Sequence, residues 1–145
     1  MFDFNDLMGP RPTMLQLTAT QLAALLSHLR DVLPEEGCGL LAGQNGVVRQ
    51  VIPVENELHS ETRFAMAGSP MVSALVDILK AGWQLSAIYH SHPAGPARLS
   101  PTDLAQLSYP DTLQLVVSLA QPDTPDLRAY WVEDGEIEAI PIQIV

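Results

Sequence analysis

Apolar residues recur at two periods along this chain. Leu22, Leu25, Leu26, Leu29 and Leu33 repeat at helical spacing. Thr18-Ala19-Thr20-Gln21 ahead of them fits a capping box, with Thr18 as cap and Gln21 reaching back. The pattern predicts a helix over 19–32 that Pro34 ends, with a short strand at 14–17 before it. Val72, Leu75, Val76 and Leu79 mark a second helix. Ser69 is its expected cap and Pro70 its first residue, and it should stop near Gly82. Ser100-Pro101-Thr102-Asp103 opens a short third helix, with Leu104 and Leu107 facing inward and Pro110 beyond its end.

The other period is the strand's. Asn45-Gly46 lies between two apolar runs and is a strong hairpin signal, because both turn positions need positive φ. It predicts paired strands over 39–43 and 47–54. Residues 55–62 (ENELHSET) are polar and loop-like, and 63–66 form a short expected strand. Further strands are predicted over 85–90 and 113–119. Asp134-Gly135 joins 127–133 to 136–145 as a second hairpin. Strands and helices alternate first and hairpins close the chain, which implies one sheet with helices packed against it. Residues 1–12 hold two prolines and a glycine without a sustained period. They are expected as a loose N-terminal arm, its Phe2, Phe4, Leu7 and Met8 able to dock, ahead of a single domain over 13–145.

Length and charge narrow the function. At 145 residues there is room for one domain, with no need of disulfide staples. Seven basic residues against 17 acidic ones leave a net charge of −10, which argues against nucleic acid or an anionic membrane as partner. Cys38 is the single cysteine, so no internal disulfide framework exists. No stretch reaches the roughly 18 apolar residues of a membrane span, and acids stand where an export signal wants bases. A cytoplasmic location is the expectation, and a homo-oligomer is left open.

The chemistry concentrates in His90-Ser91-His92-Pro93 through Asp103. Two residues apart on a strand, His90 and His92 share a face. Imidazole and carboxylate both suit zinc, and a hydrolytic site takes three protein ligands and leaves the fourth position to water. Asp103 supplies the third if the Pro93–Leu99 turn folds the helix start back over the strand end. The plain alternatives are solvent-facing histidines and a helix start with no metal role. Glu36, at the mouth of a small-residue apolar strand, is the candidate base, since partial desolvation raises its pKa. Glu35 beside it fits an exposed loop acid. Cys38 fits core packing better than a fourth ligand.

At these residues the chain resembles the JAMM (MPN+) zinc metalloprotease family. Glu36 precedes Cys38-Gly39-Leu40-Leu41-Ala42-Gly43, and His90, His92, Ser100 and Asp103 stand in a His-x-His-Pro-x6-Ser-x2-Asp pattern. The resemblance implies an α/β fold, a three-layer α-β-α sandwich around one mixed sheet of the cytidine-deaminase-like kind. It implies one Zn2+ on His90, His92 and Asp103. Glu36 would assist attack of the zinc-bound water, and Ser100 would stabilise the oxyanion. The implied reaction is hydrolysis of a peptide or isopeptide amide after the C-terminal Gly-Gly of a ubiquitin-like protein. The compactness of the chain resembles the stand-alone prokaryotic form, whose substrates include sulfur-carrier proteins. A non-catalytic MPN scaffold is the alternative, and the complete ligand set speaks against it. A nucleoside deaminase would need His-x-Glu and Pro-Cys-x-x-Cys, which are absent. A DNA-repair relative fits poorly with the charge.

Overall fold

The computed structural model describes residues 3–107 and 111–145. Phe2 and Pro110 lie outside the described residues. Strand β1 (Leu15–Leu17) leads into α1 (Ala19–Asp31), and the hairpin β2 (Cys38–Gln44) and β3 (Val47–Val54) follows. Next come α2 (Gly68–Lys80), β4 (Gln84–His92), α3 (Pro101–Ala105), β5 (Leu113–Ser118), β6 (Asp126–Glu133), β7 (Glu136–Ile140) and β8 (Ile142–Ile144). The strands form one mixed sheet in the order β7-β6-β5-β4-β2-β3-β1-β8. Each face carries a helix. Leu25 and Leu29 of α1 pack with Leu41, Ala87, Tyr89, Leu113 and Leu115. Ala74, Leu75 and Ile78 of α2 pack with Leu40, Ala42, Val54 and Ile88. The three-layer expectation holds.

The local signals act as predicted where the backbone itself decides. Gln21 N–H donates to Thr18 Oγ1 at 3.1 Å and Thr18 N–H to Gln21 Oε1 at 2.9 Å. Asn45 and Gly46 turn the first hairpin at φ of 54° and 78°, and Asp134 and Gly135 turn the second at 51° and 77°.

Several details differ. Helix α2 begins at Gly68, with Ala67 as cap and no side-chain cap bond, so Ser69 and Pro70 sit inside the first turn. Proline is tolerated there because first-turn N–H groups lack helical partners anyway. The buried stripe is Ala74, Leu75 and Ile78, while Val72 is 54% exposed. Residues 63–66 make one isolated bridge, Asn56 to Met66, rather than a strand. In α3 the buried residue is Asp103, and Leu104 faces outward. Strand β4 continues through His92. The final predicted strand splits at Pro141, which has no N–H to donate. Strand β7 pairs with β6, and β8 crosses to the opposite edge to lie parallel to β1, Leu15 facing Ile142.

The expected loose arm is pinned to the body. Phe4–Leu7 forms a 3-10 turn, Leu7 is buried against the α2 cluster and Met8 packs beside it, while Phe4 stays exposed. Apolar burial against α2 outweighs the lack of regular structure. No described helix is long and apolar enough to cross a membrane.

Candidate metal centre

Strands β2 and β4 are antiparallel, with Cys38 opposite His90. One residue before β2, Gly37 is clamped to β4 on both sides. Its N–H donates to Ser91 Oγ at 2.9 Å and its carbonyl accepts from Ser91 N–H at 3.0 Å. This extends the ladder and brings Glu36 to the strand end where the histidines emerge. Gly39 lies against the Tyr89 ring, and a Cβ there would collide with it. That close approach is what the glycine of the Cys-Gly-x-Leu run provides.

His90 and His92 lie on the last residues of β4, beside Val116 and Ser118 of β5. The turn after them is tied down from the sheet. Ser118 Oγ donates to the Gly95 carbonyl at 2.6 Å, and Tyr130 Oη to the Ala97 carbonyl at 2.6 Å. The turn delivers Ser100, whose Oγ accepts Asp103 N–H at 3.0 Å while Asp103 Oδ2 accepts Ser100 N–H at 2.9 Å. The capping box that starts α3 therefore also aims Asp103. Its Oδ2 lies 3.2 Å from His90 Nε2 and 3.1 Å from His92 Nε2, and the two Nε2 atoms are 3.1 Å apart.

These three donor atoms form a nearly equilateral triangle. A tetrahedral site with metal–ligand distances of about 2.0 Å has edges of about 3.3 Å, so the triangle has the size of one face. His92 Nδ1 donates to the Pro96 carbonyl at 2.7 Å, which leaves Nε2 as the lone-pair nitrogen facing the triangle. Glu36 completes the group, with ligand atoms of all four residues within 4.8 Å of one another. Its Oε1 is buried and has no hydrogen-bond partner among the described residues. An unpaired buried acceptor beside such a triangle is suited to a bound water or ion.

The electrostatics follow from burial and proximity. Burial pushes the Glu36 carboxyl up to about 7, with His92 pulling it down and Asp103 pushing it up again. Burial also disfavours the Asp103 carboxylate, yet the close His90 and His92 rings and the Ser100 N–H hold it far below the usual range. Burial lowers His90, and Asp103 offsets this only in part. Burial acts downward on His92 too, but its bonds to Asp103 and Pro96 carry it above its ordinary value. Burial and then the Glu36 charge push the Cys38 thiol up to about 12; its Sγ–H donates to the Val54 carbonyl. Cys38 is thus a packed, protonated thiol and stands outside the ligand group.

The structure brings together Glu36, His90, His92 and Asp103 directly and Ser100 through the cap, while Glu35 and Cys38 stand outside the cluster. Two others carried no sequence signal. Asn56 is buried in the polar loop and saturates its amide. Nδ2 donates to the Glu36 and Arg63 carbonyls at 3.0 Å each, and Oδ1 accepts from Leu58 and Ala65 N–H at 3.1 Å each. Glu36 N–H also donates to the Ser60 carbonyl at 2.8 Å. The loop thereby grips the Glu36 backbone at both ends. Phe64 stacks on His90 with ring centroids 4.5 Å apart. Both residues act through contacts distant in sequence, and no local pattern announces them.

Known proteins resemble the chain along most of its length. It is 31% identical over 134 residues to a CysO-cysteine peptidase of Mycobacterium tuberculosis, covering 91% of this chain and 92% of that protein. It is 37% identical over 120 residues to a probable TtuB-protein conjugate cleaving protease of Thermus thermophilus, covering 80% and 74%. A solution structure of a Desulfitobacterium hafniense protein superposes with a TM-score of 0.84 at 33% identity, covering 91% and 93%. A JAB1/MPN domain protein from Archaeoglobus fulgidus, at 18% identity and a TM-score of 0.58, shares the fold over 90% of this chain and 99% of that one. The family described as prokaryotic homologs of the JAB domain matches residues 18–133, and the chain belongs to it.

Proposed function

We propose that this protein is a zinc-dependent peptidase or isopeptidase. Its substrate would be an amide bond after the C-terminal Gly-Gly of a ubiquitin-like or sulfur-carrier protein. The observation that carries the reading is the triangle of His90, His92 and Asp103 donors beside the unpartnered carboxylate oxygen of Glu36. Support for the substrate class comes from relatives named for cleaving CysO and TtuB conjugates.

His90, His92 and Asp103 would hold the ion. The chemistry a zinc ion supplies when bound is Lewis acidity, which polarises a carbonyl and acidifies a water. Glu36, with its affinity for a proton raised by burial to about 7, takes the proton of the attacking water and returns it to the leaving amine. Ser100 Oγ accepts from Asp103 N–H, which leaves its own O–H to donate to the developing oxyanion. Asn56 on the Glu36 carbonyl and Ser91 on the following Gly37 N–H would hold this backbone so that the carboxylate meets the water without reorganising.

The test is incubation of zinc-loaded protein with Gly-Gly-tailed ubiquitin-like fusions, read by mass spectrometry for cleavage after the second glycine. Glu36→Gln should keep its zinc and lose roughly 10²–10⁴-fold in rate. A preparation without stoichiometric zinc and without cleavage would return the chain to the scaffold reading.

A further inference from the structure

Two cavities border the metal centre. One, of about 370 Å³ on the α2 face of the sheet, is lined by His90, Asp103 and Gln114, with Arg63 among its walls. The other is a cleft of about 570 Å³ lined by Glu36, His92, Arg98 and Ser100, with Glu61 and Thr62 coming in from the loop after β3. The roles given to Glu36 and Ser100 set a direction between them. Glu36 returns the proton to the leaving amine and Ser100 meets the oxyanion. Both line the second cavity and neither lines the first. On that reading the leaving group departs along the second cleft.

Arg98 is the one arginine or lysine lining this cleft among the described residues. Its backbone is held on a tied-down turn. Ser118 fixes the Gly95 carbonyl, Tyr130 fixes the Ala97 carbonyl, and Arg98 N–H donates to the Pro96 carbonyl at 2.8 Å. Its side chain is exposed. In a chain with 17 acidic residues it has no ion-pair partner among the described residues, whereas Arg11 and Arg128 pair with Glu138 and Asp126. Glu61 shares the cleft without pairing to it, and the Glu61 charge repels an anion from the loop side. A guanidinium on a fixed turn is a fork for a carboxylate. The two kinds of leaving group differ in where they carry one. A terminal amino acid bears it on the carbon next to the scissile nitrogen. A lysine joined through its ε-amine has methylenes there, and its own carbonyl is committed to a peptide bond.

We propose that Arg98 selects the leaving group, by pairing with the free α-carboxylate of a single amino acid attached after the Gly-Gly tail. Hydrolysis adds one water across that amide and yields the Gly-Gly carboxylate and the free amino acid. The proposal rests on the amide-hydrolysis reading. Between its peptidase and isopeptidase forms it chooses the peptidase that removes one residue.

Zinc-loaded protein titrated with N-acetyl-L-alanine and with N-acetyl-L-alaninamide, followed by 15N–1H NMR, tests this without turnover. Saturable shifts are expected at Thr62, Gly95, Arg98 and Ser100. The acid should bind about fivefold more tightly than the amide, the modest ratio of a solvent-exposed pair. Arg98→Gln should erase that ratio, and Arg98→Lys should keep part of it, since the charge stays and the fork is lost. Arg63→Gln, in the other cavity, should leave it unchanged. In cleavage of a ubiquitin-like fusion ending in Gly-Gly-Ala, Arg98→Gln should raise KM about fivefold with kcat unchanged, and amidating the terminal carboxylate should do the same to the wild type. Equal binding of acid and amide, a ratio that survives Arg98→Gln, or one that Arg63→Gln erases would overturn the selection. So would a lysine ε-linked Gly-Gly conjugate cleaved with as low a KM as the fusion. Loss of Gly-Gly cleavage with the acid-over-amide ratio intact counts against hydrolysis alone. Intact cleavage without that ratio counts against the Arg98 role alone.

Discussion

The two faces of the sheet are built to different standards. On the α1 face, leucines from α1, β1, β2 and β5 surround Tyr89, whose hydroxyl bonds to His28 Nδ1 at 2.8 Å. No side-chain polar atom on that face is both buried and unpaired among the described residues. On the α2 face, Glu36, His90 and Gln114 each leave a buried polar atom without a partner among the described residues, and all of them belong to the candidate metal cluster or line its neighbouring cavity. Alternation along the strands makes this division. In β4, Ala87 and Tyr89 serve the closed core while His90 and His92 serve the site. Both faces carry an apolar core, and only the α2 face bears the cost of buried polar atoms left without a partner among the described residues.

Substitutions should separate the faces. The largest effect is expected for Asp103→Ala, which removes a ligand and the acceptor for Ser100 N–H together. Metal measured by plasma mass spectrometry should drop from about one zinc per chain to near zero. Full zinc content would break the ligand assignment. On the closed face, Leu115→Ala should cost about 2–5 kcal/mol in urea unfolding and leave zinc content unchanged. Asn56→Asp replaces the amide that donates to the Glu36 and Arg63 carbonyls. It should cost about 1–3 kcal/mol and lower the rate with zinc retained. A rate equal to wild type would show that the loop grip is structural only.

The smallest effect concerns pH on the closed face. Burial lowers the His28 pKa below its ordinary 6.5, with Asp31 opposing. The unfolded chain then binds the proton more readily than the folded one. This stability is complete above about pH 6.5 and is lost as pH falls through the lowered folded value. Urea midpoints of wild type and His28→Asn should therefore converge as pH drops from 8 to 5. A gap that widens on acidification would contradict the sign.

What the sequence reveals follows the range of the interactions. Turns at Asn45-Gly46 and Asp134-Gly135 and the caps at Thr18 and Ser100 are decided within four residues, and each stands where the pattern places it. The candidate cluster was legible because His90, His92 and Asp103 lie on one strand end and the helix just after it. Errors arise where distant partners decide. The buried stripe of α2 is set by Leu40, Ala42 and Val54 beneath it, so Val72 turns outward. Strand β8 leaves its hairpin because β1 offers an unpaired edge and Pro141 releases the chain. Asn56 looks like any loop asparagine until Glu36, 20 residues away, supplies a carbonyl for its amide.

The clamp between Gly37 and Ser91 has a practical consequence for redesign. It fastens the Glu36 backbone and the two imidazoles to one extended strand ladder, through one main-chain bond and one bond to the Ser91 hydroxyl. The segments around residues 55–66 and 93–99 fasten onto that framework through Asn56, Ser60, Phe64, Gly95, Pro96 and Ala97. An engineer seeking new selectivity can exchange exposed residues of those segments outside these attachments, such as Leu58 and Glu61, with the least disturbance of the Glu36, His90, His92 and Asp103 cluster.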